Sequence, residues 1–129
     1  MLSQAELGSL FSATRNRKHR VILVTLYSAG LRLSEGTHLQ VGDLDSDRMT
    51  IRVREGKGAR DRYTVFAQRT LDLLRAYWRL ERPGTWLFPG QQVGQPLSER
   101  RVQKILAKSR VEAGITQAIT VHSLRHYAE

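Results

Sequence analysis

The chain has 129 residues, 21 Lys and Arg against 12 Asp and Glu, a formal net charge of +9 and a sequence pI near 10.8. That length suits one domain and not two, and 40% apolar with 26% charged residues is the balance of a folded globular chain. No apolar run approaches the roughly 18 to 20 residues of a membrane span and no signal pattern opens the chain, so a soluble, non-secreted protein is expected; zero cysteines exclude disulfides, thiolate zinc sites and a cysteine nucleophile, and fit a reducing cytoplasm.

Ser3-Gln-Ala-Glu6 is a capping box that opens a helix through Ala13, with Leu7, Leu10 and Phe11 on one face. A second helix, Arg17 to Ala29, is nearly continuously apolar from Val21 to Tyr27, which places it in the core, and Gly30 ends it. A short third helix follows from Ser34 to Leu39, and Val41 to Leu44 reads as a strand. Met49 to Arg54 alternates with period two, turning Met49, Ile51 and Val53 inward and Thr50, Arg52 and Arg54 outward. Glu55 to Asp61, with Gly56 and Gly58, reads as a hairpin turn into a strand over Tyr63 to Ala67. Thr70 to Leu80 is a helix with Leu71, Leu74 and Trp78 on its apolar face, ended by Pro83-Gly84, and Trp86 to Pro96 is a loop. Ser98 caps a basic amphipathic helix to Ala113, closed by Gly114, and Thr120 starts a last helix. The expected class is α+β, mainly helical, with a small antiparallel sheet packed on the helices.

The charge is concentrated. Segments 14–20, 52–69 and 97–110 each carry +4, and the rest of the chain sums to −3. Three basic segments rich in Arg favour a polyanion, with phosphate neutralisation and counterion release supplying the affinity, over a merely solvated surface. Arg52, Arg54, Arg60, Arg62, Arg100, Arg101 and Lys104 are the expected backbone contacts.

Other chemistries lack their residues. Asp43-Leu-Asp-Ser-Asp47 resembles the start of a calcium loop, but Arg48 and Arg54 stand where glycine and glutamate are needed. Gly56-Lys57-Gly58 has neither the spacing nor the following Ser/Thr of a P-loop. His122 and His126 share a helical face without a third ligand, and no hydrolytic constellation is evident, so no metal or cofactor is expected.

What remains is a set of cations: Arg32 in Gly30-Leu-Arg-Leu-Ser-Glu35 at a helix boundary, Lys57 on the hairpin, and His122-Ser-Leu-Arg125 on the last helix. Together with Leu39-Gln-Val-Gly-Asp-Leu-Asp45, Ile51-Arg-Val53, Asp61-Arg62, Trp86-Leu-Phe-Pro89 and His126, in this order, they make the chain resemble the catalytic domain of a tyrosine recombinase of the phage-integrase type. The resemblance covers nearly all 129 residues. Single pieces such as Gly-Leu-Arg are weak signals, and their ordered combination is a strong one.

The resemblance implies metal-free cleavage of DNA by tyrosine attack on a phosphodiester, so that protein cations meet the charge developing on the phosphate oxygens. It implies that Arg32 and Arg125 grip the non-bridging oxygens, that Lys57 protonates the leaving 5′-oxygen, that His122 is an acid/base or hydrogen-bonding group, and that Glu35 orients Arg32. It further implies double-stranded DNA and other recombinase protomers as partners, and a bacterial, cytoplasmic, nucleoid-associated location. Taken alone, Arg32 also reads as a structural ion pair with Glu35, and Lys57 as a solvated turn lysine.

The family's nucleophilic tyrosine lies well beyond its His-x-x-Arg segment and its DNA-clamping domain precedes the catalytic one. The 129 residues are therefore expected to be a partial catalytic domain, forming no covalent DNA adduct alone. Tyr127 is about 200° around the helix from Arg125, and Tyr27, Tyr63 and Tyr77 read as packing residues. The rival readings are a non-catalytic DNA-binding remnant or regulator, and a basic RNA-binding module.

Overall fold

The computed structural model describes residues 2–54 and 60–128, the last four of these by their backbone alone. Among the described residues, six α-helices accompany a three-stranded antiparallel sheet of order β1-β2-β3. Helix α1 (Gln4–Ala13) carries the capping box read from the sequence, Ser3 Oγ accepting from Glu6 N–H at 3.1 Å and Glu6 Oε1 from Ser3 N–H at 3.0 Å. Helix α2 (Arg17–Ala29) is capped by the Asn16 side chain and buries Val21, Ile22, Leu23, Leu26 and Ala29. It is the central element, packed against all five other helices. Gly30 ends it in the left-handed conformation, φ 63°, which costs a residue without Cβ nothing.

Helix α3 (Leu33–Thr37) follows at once and lies tightly on α2: a Cβ on Gly36 would collide with the Leu26 side chain. The expected strand over Val41 to Leu44 is instead a 3-10 turn, Val41–Asp43, and only Leu44–Asp45 pairs as β1. The turn wins because the Asp43 carboxylate reaches back to accept the Gln40 N–H at 2.9 Å. Strands β2 (Thr50–Val53) and β3 (Arg62–Val65) pair Thr50 with Val65 and Val53 with Arg62. Ile51 and Val53 point into the core as their period-two pattern predicts, and Arg52 and Arg54 are exposed. Tyr63, expected to pack, stands on the open face of the sheet and is 67% exposed. Thr64 Oγ1 donates to Ala29 O at 2.9 Å, tying β3 to the end of α2.

Helix α4 (Gln68–Glu81) buries Leu71, Leu74 and Tyr77. Trp78, placed inward by the sequence pattern, is 40% exposed with the Arg82 guanidinium over its ring at 4.3 Å. The inward position belongs to Tyr77, whose hydroxyl donates to Leu87 O at 2.7 Å, and burial pushes that hydroxyl's pKa up. Helix α5 (Glu99–Glu112) is capped by Ser98 Oγ, and Thr14 and Ser109 join it to the end of α1 through hydroxyl oxygens 2.7 Å apart. In α6 (Val121–Ala128), Thr120 and Ser123 cap each other reciprocally, while Val121 and Leu124 are buried. None of the described helices is long and apolar enough to cross a membrane.

Candidate phosphate-binding site

Two turns place Arg32. The left-handed Gly30 redirects the chain out of α2, and Leu31, fully buried, pins it down so that Arg32 becomes the residue before α3. The Glu35 carboxylate then accepts the Arg32 backbone N–H at 2.7 Å, an N-terminal cap that also puts a negative charge at the favourable end of a helix. The Arg32 side chain is 59% exposed, with Nη1 4.0 Å from Glu35 Oε2. Glu35 is only 7% exposed.

Arg32 lines an open cleft of about 450 Å³ with Leu33, Ser34, Glu99, Gln103, Thr120, Val121 and His122. Helix α3 forms one wall, the first turn of α5 another and the start of α6 the third. Two residues named from the sequence, 90 positions apart, therefore meet in one cavity. His122 is exposed there, on the first turn of α6. Arg125 follows one helical turn later, its side chain outside the described atoms, and Lys57 lies outside the described residues. Sequence reasoning missed Ser34, Gln103 and Glu99 as cleft residues. Glu99 carries no sequence signal of its own, since only the packing of α5 brings it to the rim.

The hairpin arginines are engaged with carboxylates. Arg52 Nη2 lies 2.6 Å and Nε 2.8 Å from Asp61 Oδ2, and this hydrogen bond raises the arginine's pKa further. Arg54 donates from Nε to Asp43 Oδ1 at 3.1 Å, and its Nη2 lies 3.0 Å from the same oxygen. Arg62 Nη2 donates to Glu35 Oε1 at 2.6 Å. Charge balance alone could not show this pairing, because Asp43 and Glu35 belong to elements distant in sequence. Arg60 is exposed. Arg100, Arg101 and Lys104 line a second open cleft of about 620 Å³ with Gly90, Gln91 and Gln92, on a different face of α5 from Glu99 and Gln103. His19 has its pKa lowered by burial and then by Arg101, Lys18 and Lys108.

Among the described residues no cluster of His, Asp and Glu has the arrangement of a metal site. What the first cleft offers an anion is a planar guanidinium, an imidazole and the hydroxyl-bearing Ser34 and Thr120, a set suited to a phosphodiester.

The chain is similar to known proteins in sequence and in fold. An integrase/recombinase of Sinorhizobium fredii, y4qK, is 42% identical over 126 residues, covering 98% of the chain and 41% of the relative. The tyrosine recombinase XerC of Lactobacillus leichmannii is 32% identical over 135 residues, covering 95% and 45%. The crystal structure of XerA recombinase superposes with a TM-score of 0.87 at 27% identity, over 97% of this chain and 46% of that one. The chain thus spans less than half the length of these three. The family model of the phage integrase family matches residues 1–129, end to end. The chain belongs to the phage integrase family.

Proposed function

We propose that these 129 residues supply the phosphate-gripping part of the DNA-breaking and rejoining site of a site-specific tyrosine recombinase. The observation that carries this reading is the convergence of Arg32 and His122 on one open cleft, with the Arg32 guanidinium exposed and its backbone fixed by Glu35. Family membership supports it, as do relatives named as recombinases.

In this role the Arg32 fork binds the non-bridging oxygens of the scissile phosphate and stabilises the charge that grows as the phosphorus becomes five-coordinate. His122 hydrogen-bonds the same group, while Lys57 and Arg125 complete the cation set, the lysine protonating the leaving 5′-oxygen. Double-stranded DNA is the partner of the clefts on either side of α5, and further recombinase protomers are partners of the assembled protein. Its place of action is the cytoplasm, on the nucleoid.

Competition between duplex DNA and structured RNA for the chain, measured by anisotropy across a salt series, tests the reading. Duplex DNA should win, with an affinity that falls steeply with salt and falls again in Arg32→Ala. Preference for RNA, or indifference to Arg32→Ala, would contradict it.

A further inference from the structure

Glu35 is a buried carboxylate between two arginines that stand in unequal relation to it. Oε1 accepts both the Arg32 backbone N–H at 2.7 Å and the Arg62 guanidinium at 2.6 Å. Oε2 is buried and, among the described residues, finds no hydrogen-bond donor. The Arg32 guanidinium stops at 4.0 Å from it, beyond hydrogen-bond range, and remains in the cleft. A buried carboxylate needs a counter-charge, and here β3 supplies the close one across 27 positions of sequence.

We propose that Arg62 is a positioning residue: by neutralising Glu35 from the sheet side it keeps the Arg32 guanidinium available to the phosphate. This rests on the phosphate-binding reading of Arg32. Without Arg62, Glu35 is left as an uncompensated buried charge, and the cheapest remedy is closure of the 4.0 Å gap by Arg32. That movement takes its fork away from the cleft. Arg62 therefore affects phosphate binding through Glu35, without touching the ligand. The same contact, with the Thr64 to Ala29 bond, docks β3 beside the residue that follows α2.

The test is binding of the 129-residue chain to a short mixed-sequence DNA duplex, read as the slope of log affinity against log salt. Arg32→Ala should reduce the slope by about 0.9, the value of one phosphate contact. Arg62→Met should lose the same amount, and Arg62→Met/Glu35→Gln, which removes the charge that captures Arg32, should regain the wild-type slope. A double variant as impaired as Arg62→Met shows that Arg62 acts directly on DNA or only on the fold, and overturns the proposal, as does an Arg62→Met slope equal to wild type. If circular dichroism shows Arg62→Met unfolded, the double variant and the triple variant with Arg32→Ala decide: the double must match wild type and the triple must fall by about 0.9. An unchanged slope in Arg32→Ala instead overturns the phosphate-binding reading itself.

Discussion

Arg54 makes a hydrogen bond through Nε and an ion-pair contact through Nη2 to a single oxygen of Asp43, whose side chain is 2% exposed and whose other oxygen caps the turn that begins at Gln40. This ties the end of β2 to the 3-10 turn before β1. Arg54→Met leaves that carboxylate buried without its cation, so a loss of about 1 to 3 kcal/mol is expected. Urea unfolding checks the loss, and Asp43→Asn/Arg54→Met should recover part of it because no buried charge then remains.

Gly36 is set by its closeness to α2. Its missing Cβ makes room for Leu26, itself fully buried and unable to swing into solvent. Gly36→Val should cost about 1 to 3 kcal/mol through overpacking, read as a lower urea midpoint with unchanged slope. Glu35 lies on this short helix and Arg32 is the residue that opens it, so DNA affinity should fall with it.

Both residues bear on how much the sequence disclosed. The caps did their work locally: Ser3 with Glu6, Gly30, Ser98 and Thr120 fix helix ends within one turn, and those boundaries are visible in the chain. An ordered set of motifs singled out Arg32 and His122, which line one cleft. The misreadings have one local and one tertiary origin. Val41 to Leu44 has strand-like residues, but Asp43 folds back on Gln40; Tyr77 and Trp78 are both large apolar neighbours, and only the Leu87 carbonyl selects which one turns inward. The pairing of Arg62 with Glu35, and Glu99 at the cleft rim, depend on the docking of β3 and α5, which no local pattern encodes.

Glu99 is the acid in a cleft otherwise suited to phosphate. Removing it without changing its shape should help an anion enter. Glu99→Gln is expected to tighten duplex binding up to about five-fold at low salt, corresponding to about 1 kcal/mol of relieved repulsion, with the gain shrinking as salt rises. Anisotropy titrations at two salt concentrations read both effects.

His19 makes stability depend on pH. Its pKa is lowered from 6.5, first by burial and then by the cations Arg101, Lys18 and Lys108, so the unfolded chain takes up its proton before the folded one does. The contribution of this residue is therefore flat above about pH 6.5 and turns against folding as pH falls below it. The melting temperature of the wild type should drop, as pH falls from about 7.5 to 5.5, by more than that of His19→Gln. Parallel curves for the two proteins would contradict this origin.

In the proposed function a DNA phosphate sits in the cleft between α3, α5 and α6. Amide chemical-shift mapping of the isotope-labelled chain with a short duplex tests for it there. The expected result is large, salt-sensitive shifts at Arg32, Leu33, Ser34, Val121 and His122, abolished at His122 by Arg32→Ala. Shifts confined to Arg15 to Arg20 and the Arg100 to Lys104 face, with the cleft amides unmoved, would contradict it.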